Sequence, residues 1–305
     1  MAQNPRKTLD VPSNSGGFVM REVIRFAFFM HRPHRQVADS VNQVVASLID
    51  RLPPPAISTF AANSGDWITY GSKELKNQTF KRLIGRDRPI NASLSLAGEQ
   101  ANIPDASIEY KGLAVDLPMY SKACCAFWLQ MATSMAPSGR DECLAWILPI
   151  ADQLHCTSAY AEIALEGHRP RMQATAKRYL AVDIADVGCV ARDLDLKLPG
   201  IYWINYFGPD LVSRMTGTDV EIPISSSGIF DSMTNGGGRV VAFGLAPDLG
   251  DVARPETMQE RRSFAKKIHA AGLLHVPVKF TYFEPEEEFD DARAQQRWHL
   301  RLATE

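Results

Sequence analysis

Phe18-Val19-Met20-Arg21-Glu22-Val23-Ile24-Arg25-Phe26-Ala27-Phe28-Phe29-Met30 alternates two sets of side chains. Val19, Arg21, Val23 and Arg25 point one way, and Met20, Ile24, Phe26 and Phe28 point the other, which is the period-two pattern of a β-strand. The second set is apolar and faces a core. The arginines predict a first face that is only half-covered. From His34 the period changes: Val37, Val41, Val44, Leu48 and Leu52 recur at helical spacing. Pro53-Pro54-Pro55 ends that helix, because proline neither donates the next hydrogen bond nor fits the next turn.

Working outward, Trp67–Tyr70, Leu94–Leu96, Ile108–Val115, Lys122–Met131, Thr157–Leu165 and Arg239–Leu245 read as strands. Ser72 caps a helix through about Ile84. A second helix spans Asp141–Leu154, with a kink or early end expected at Pro149. Tyr202–Phe207 is an apolar, aromatic run, and Gly208-Pro209 opens a short helix that stops at Gly217. Asn235-Gly236-Gly237-Gly238 is a turn. Thr257 and Glu260 form a capping box for a helix that buries Phe264 and Ile268 and ends at Gly272. Strands and helices mix without βαβ units, so the fold class is α+β, a mixed and mostly antiparallel sheet packed with helices.

Residues 1–17 read as a flexible arm, 18–136 as an N-terminal α+β half, 137–283 as a C-terminal α+β half, and 284–305 as an acidic run with a C-terminal helix or tail. Both halves open on strand–helix–strand, which suggests an internal duplication, although residue identity between them is not evident.

With 305 residues the chain can bury a sizeable core unaided. A formal net charge of −2 argues against a binder that relies on neutralising phosphates. The five cysteines, Cys124, Cys125, Cys143, Cys156 and Cys189, are odd in number and include no CxxC pair. They read as buried free thiols of a reducing cytosol rather than a disulfide framework. The N-terminus has no apolar segment of signal-peptide type, and no apolar run approaches membrane-spanning length. A cytoplasmic protein is expected, with no membrane partner.

Known catalytic motifs are missing: no P-loop, no dinucleotide GxGxxG, no GxSxG elbow, no HExxH and no zinc-deaminase pattern. His31 and His34 form an HxxH, but zinc needs further ligands, and two exposed histidines in a basic turn is the favoured reading. His155-Cys156 is expected to point to opposite faces, which would keep thiol and imidazole apart. No catalytic residue, metal or cofactor is assigned. The densest charge is Glu284-Pro285-Glu286-Glu287-Glu288-Phe289-Asp290-Asp291. Glu284, Glu286, Glu287, Glu288, Asp290 and Asp291 are candidate contacts to a basic partner, because carboxylates can occupy sites built for phosphates. The alternative is a solvated helix start, and Arg293, Arg297 and Arg301 on one helical face favour it.

Two stretches carry a resemblance. Leu198-Pro199-Gly200-Ile201-Tyr202-Trp203-Ile204-Asn205-Tyr206-Phe207-Gly208-Pro209-Asp210-Leu211-Val212, ending at Gly217, is one. Ala242-Phe243-Gly244-Leu245-Ala246-Pro247-Asp248-Leu249-Gly250-Asp251-Val252-Ala253-Arg254 is the other. They resemble the signatures of the TsiV-like immunity proteins of type VI secretion loci, with Ala253 where asparagine is usual and Ala161 where an upstream glycine is usual. The resemblance implies a protein that binds and neutralises a cognate type VI effector. That effector would be a restriction-endonuclease-like nuclease, a DNase, whose active site or substrate cleft is occluded. It implies no cofactor, no enzymatic activity and no direct contact with nucleic acid, and leaves the oligomeric state open. Trp203, Asn205, Gly208, Leu211, Gly217, Pro247, Gly250 and Asp251 are the signature residues, and structural roles are expected for them. An effector chaperone or adaptor, or an enzyme that reverses toxin damage, are the alternative functions.

Overall fold

The computed structural model describes residues 9–12, 18–63, 66–69, 91–98, 103–167, 180, 183, 187–218, 220, 229–250, 258–276 and 300–303. In chain order the strands are β1 (Val11–Pro12), β2 (Phe18–Met30), β3 (Thr59–Ala62), β4 (Ile68–Thr69), β5 (Asn91–Ala97), β6 (Ala106–Leu113), β7 (Cys125–Ala132), β8 (Ser158–Gly167), β9 (Ile204–Phe207), β10 (Ile229–Met233) and β11 (Arg239–Phe243). The helices are α1 (His34–Arg51), α2 (Arg140–Gln153), α3 (Val187–Val190), α4 (Pro209–Thr216) and α5 (Gln259–Ala270). The strands form one sheet in the order β10-β11-β9-β8-β2-β7-β6-β5-β3-β4, with β1 paired to β2. Every pairing between named strands is antiparallel. The α+β class with a mostly antiparallel sheet is what the hydrophobic periods require.

The strand that opens the sequence argument lies mid-sheet, between β7 and β8. Phe26, Phe28 and Met30 on one face are fully buried beneath α1 and α2. Phe28 stands opposite Phe127 of β7 with ring centroids 5.9 Å apart, and Phe26 stacks on Trp146 of α2 at 6.3 Å. Val37, Val41, Val44 and Leu48 of α1 join this core. Leu52 turns extended just before Pro53, ending the helix where proline dictates.

The arginine face departs from expectation. Arg25 is 5% exposed rather than half-covered, because residues from late in the chain lie over this side of the sheet and supply it with carboxylates. On this face Phe207 of β9 meets Phe264 of α5 edge-on at 6.1 Å. Leu211 and Met215 of α4 complete that second core.

Three local expectations are corrected. α2 runs through Pro149 without ending there. The proline leaves the Ala145 carbonyl without its helical donor, a loss of about 3 kcal/mol in a free helix, here set against burial of Cys143, Leu144, Ile147, Ile150 and Ala151. The N-cap of α5 is Met258, in the left-handed region at φ 60°, with no side-chain cap, so the helix starts one residue after the expected Thr257 cap, which itself lies outside the described residues. His34 is buried, not exposed: its Nδ1 lies 2.8 Å from the Tyr110 hydroxyl. The expected helix from Ser72 lies outside the described residues.

Candidate functional site

The first signature stretch enters the sheet as β9, between β8 and β11. Asn205 is 2% exposed and acts as a brace. Its Oδ1 accepts from the Tyr202 amide at 2.8 Å, and its Nδ2 donates to the Tyr202 carbonyl at 2.7 Å and the Val241 carbonyl at 3.4 Å. The bend before β9 is thereby fixed by one side chain. Trp203 is buried, and its amide donates to Glu162 Oε2 at 3.0 Å. Gly208, the N-cap of α4, passes so close to β8 that a Cβ would lie 2.2 Å from the Cys156 carbonyl oxygen. Gly217, the C-cap, has φ −83° and no such crowding, so its backbone imposes no need for glycine.

Beside Trp203 lies a buried charged centre. Glu162 on β8 accepts from Arg261 of α5 and from the amides of Trp203 and Ile163. Arg261 Nε also donates to the Ile201 carbonyl at 3.0 Å. Further along, Arg25 donates to Asp183 at 2.9 Å, to Glu166 at 3.2 Å and to Gln130 at 3.4 Å. Tyr160 donates its hydroxyl to Asp183 at 2.6 Å and stacks on Tyr202 with centroids 3.7 Å apart. Burial alone would push the Arg25 guanidinium down, but Asp183, Tyr160 and Glu166 outweigh it and hold it above its ordinary range. Burial drives the Tyr160 and Tyr202 phenols up. Burial lowers Arg301, which is also enclosed here. Charges taken out of water persist only when paired and hydrogen-bonded. Chemically, this arrangement clamps α5 and Arg301 onto the sheet.

None of Glu162, Asp183 and Arg261 was singled out from the sequence. A lone carboxylate inside the otherwise apolar Thr157–Leu165 was the available signal for Glu162. For Asp183 and Arg261, nothing local distinguishes them from surface charges.

The second signature stretch is different. Residues 244–250 form an exposed loop that includes Pro247 and Gly250, and Leu245 is 71% exposed. Asp251 lies outside the described residues, as do Glu284, Glu286, Glu287, Glu288, Asp290 and Asp291. His31 Nε2 is 3.3 Å from the Ser121 carbonyl and 3.9 Å from Asp195, away from His34. Among the described residues no group of histidine, cysteine and carboxylate side chains could hold a metal. Cys124, Cys125, Cys143 and Cys156 are free and buried, and burial raises all four thiols, Cys125 to about 11 and Cys143 to about 12. Such thiols are poor nucleophiles near neutral pH. His155 sits in a left-handed turn before β8 rather than on a strand. A cavity of about 330 Å³ lies between the start of β2, Pro53–Pro55 and Pro104, and the Arg21–Asp105 ion pair lines it. No helix among the described residues is long and apolar enough to cross a membrane.

Comparison with known proteins gives two findings. The family model TsiV, described as type VI immunity for VRR-NUC, matches residues 66–302. The solved structure of the Pseudomonas aeruginosa T6SS protein PA0821 is similar at a TM-score of 0.73 and 13% identity, covering 97% of this chain and 88% of that one. At that identity the likeness is one of fold. No curated protein matches.

Proposed function

The chain belongs to the TsiV family, type VI immunity for VRR-NUC, and from that premise we propose that it binds a cognate nuclease effector and blocks DNA cleavage by covering the active site or substrate cleft. The family match over residues 66–302 carries this reading. The mode is stoichiometric rather than catalytic. In support, the titratable groups gathered beside Trp203 are tied into one another inside the protein, and the four described thiols are held protonated by burial. The complex forms in the cytoplasm, where an incoming effector would meet the chromosome. The carboxylates of Glu284, Glu286, Glu287, Glu288, Asp290 and Asp291 add attraction to the cations of the nuclease cleft. The chain itself needs no cofactor and touches no nucleic acid.

The test is titration of purified protein into a DNA-cleavage assay run with a VRR-NUC effector nuclease from the same strain. Cleavage should fall linearly and stop at one equivalent. Rescue by trace amounts would instead indicate an enzyme that reverses damage, and undiminished cleavage at excess protein would end the proposal.

A further inference from the structure

Leu245 is displayed in solvent on a loop tied by its backbone to the start of α2. Arg140, the first residue of α2, donates its amide to the Leu245 carbonyl at 2.9 Å. Gly244 and Gly250 adopt left-handed φ values of 82° and 60°, open to glycine at little cost. The Gly250 amide donates to Asp248 Oδ1 at 3.1 Å. Nothing in the fold uses the Leu245 side chain, which is among the most exposed large apolar residues described.

The surroundings are acidic. The Asp141 side chain is 78% exposed, and Glu142 and Asp248 are exposed as well. Among the described residues here the cation is Arg140, bonded to Asp141 at 2.9 Å and stacked over Phe230 at 4.8 Å. The result is an apolar point within a rim of carboxylates, the apolar-centre and polar-rim pattern of a protein interface. The most exposed large apolar side chain described, Met119, has a different setting. Met119, beyond the opposite ends of the strands, neighbours Lys122 in sequence and lies on the loop that pairs Asp116 with Arg35.

Resting on the proposed function, we infer that Leu245, rimmed by Asp141, Glu142 and Asp248, is the contact that seats in the substrate cleft of the nuclease. A cleft that holds a polyanion must be lined by cations. The three carboxylates stand where phosphates would, and Leu245 enters between them as the apolar anchor. A basic cleft would repel a face centred on Lys122 and Arg35, and accept this one.

The experiment measures binding of a VRR-NUC effector nuclease from the same strain to the full chain and to Leu245→Arg, Leu245→Ser, Asp141→Lys and Met119→Arg, with thermal unfolding as the check on folding. Leu245→Arg should weaken binding about 30-fold or more, the loss typical of an interface anchor. Asp141→Lys should slow association about tenfold at low salt, and less at high salt. Leu245→Ser should weaken binding in the same sense as Leu245→Arg, and Met119→Arg should bind as the unaltered chain does. Unchanged binding by both Leu245 variants, or a loss confined to Met119→Arg, overturns the assignment while leaving the proposed function standing. Failure of the unaltered chain to bind overturns both.

Discussion

Arg25 and Asp183 meet at 2.9 Å inside the protein although 158 positions separate them. Both are buried, and the Tyr160 hydroxyl completes the carboxylate's shell. Such a pair adds little net stability over an apolar pair of equal volume, but breaking it strands a charge.

Replacing Arg25 with methionine should therefore cost about 3–5 kcal/mol. The double variant Arg25→Met, Asp183→Leu should recover much of that loss, because the carboxylate that remains, Glu166, is partly exposed to water and no buried charge is stranded. Urea midpoints of the single and double variants check both statements. Equal destabilisation of the two would show that the pair itself, not the stranded charge, matters.

The two glycines that bracket α4 should respond oppositely to alanine. Gly208→Ala drives a Cβ into the Cys156 carbonyl and should cost about 1–3 kcal/mol or more. Gly217→Ala meets no close atom at an ordinary φ and should be neutral or stabilise by about 0.4–1 kcal/mol. Melting temperatures of the two variants decide it, and equal losses would contradict the close-approach account.

Alkaline pH should unfold the protein. Burial raises Cys125 to about 11 and Cys143 and Tyr206 to about 12, and it lifts Tyr110 and Tyr160 well above the ordinary phenol range. In the unfolded chain thiols release their protons near pH 8.5 and phenols near pH 10. The folded state keeps protons that the unfolded state has lost, so stability is complete below about pH 8.5 and declines as pH rises toward about 12. Denaturation midpoints measured from pH 8 upward should fall steadily, and a flat profile would refute the assignment.

Reversal of Glu286, Glu287 and Glu288 to lysine should weaken nuclease binding about tenfold at low salt without altering the melting temperature. Calorimetric titration at two salt concentrations reads the effect. Unchanged affinity would return the run to a solvated face.

Much of the fold was legible because periods are local. The alternation of Phe18–Met30, the valines of α1 and the Gly208-Pro209 start of α4 each lie within one element. The covered arginine face was not legible, since the carboxylate that pairs with Arg25 arrives from 158 positions away. The early end offered at Pro149 does not occur for a related reason: packing around α2 overrides a local penalty. For the site, the signature residues of β9 could be found but not their tasks. Asn205 as a brace emerges only when the chain bends at Tyr202 beside β11, and Gly208 as a close approach only when Cys156 is in place. The exposure of Leu245 is likewise a property of the assembled surface.

The place of β2 in the sheet also sets a clock. β1 and α1 are local partners of β2, but β7, β8 and the counter-charge of Arg25 come from residues 125–183. At translation speeds of about 5–20 residues per second, Asp183 follows Arg25 by roughly 10–30 s, during which an apolar strand waits unpaired on its β8 side. Distant pairings of this kind also slow the search for the native state. The centre of the sheet therefore closes only once residues far beyond β2 have been made. Protection, on the function proposed, depends on a reserve of completed molecules already present when an effector arrives.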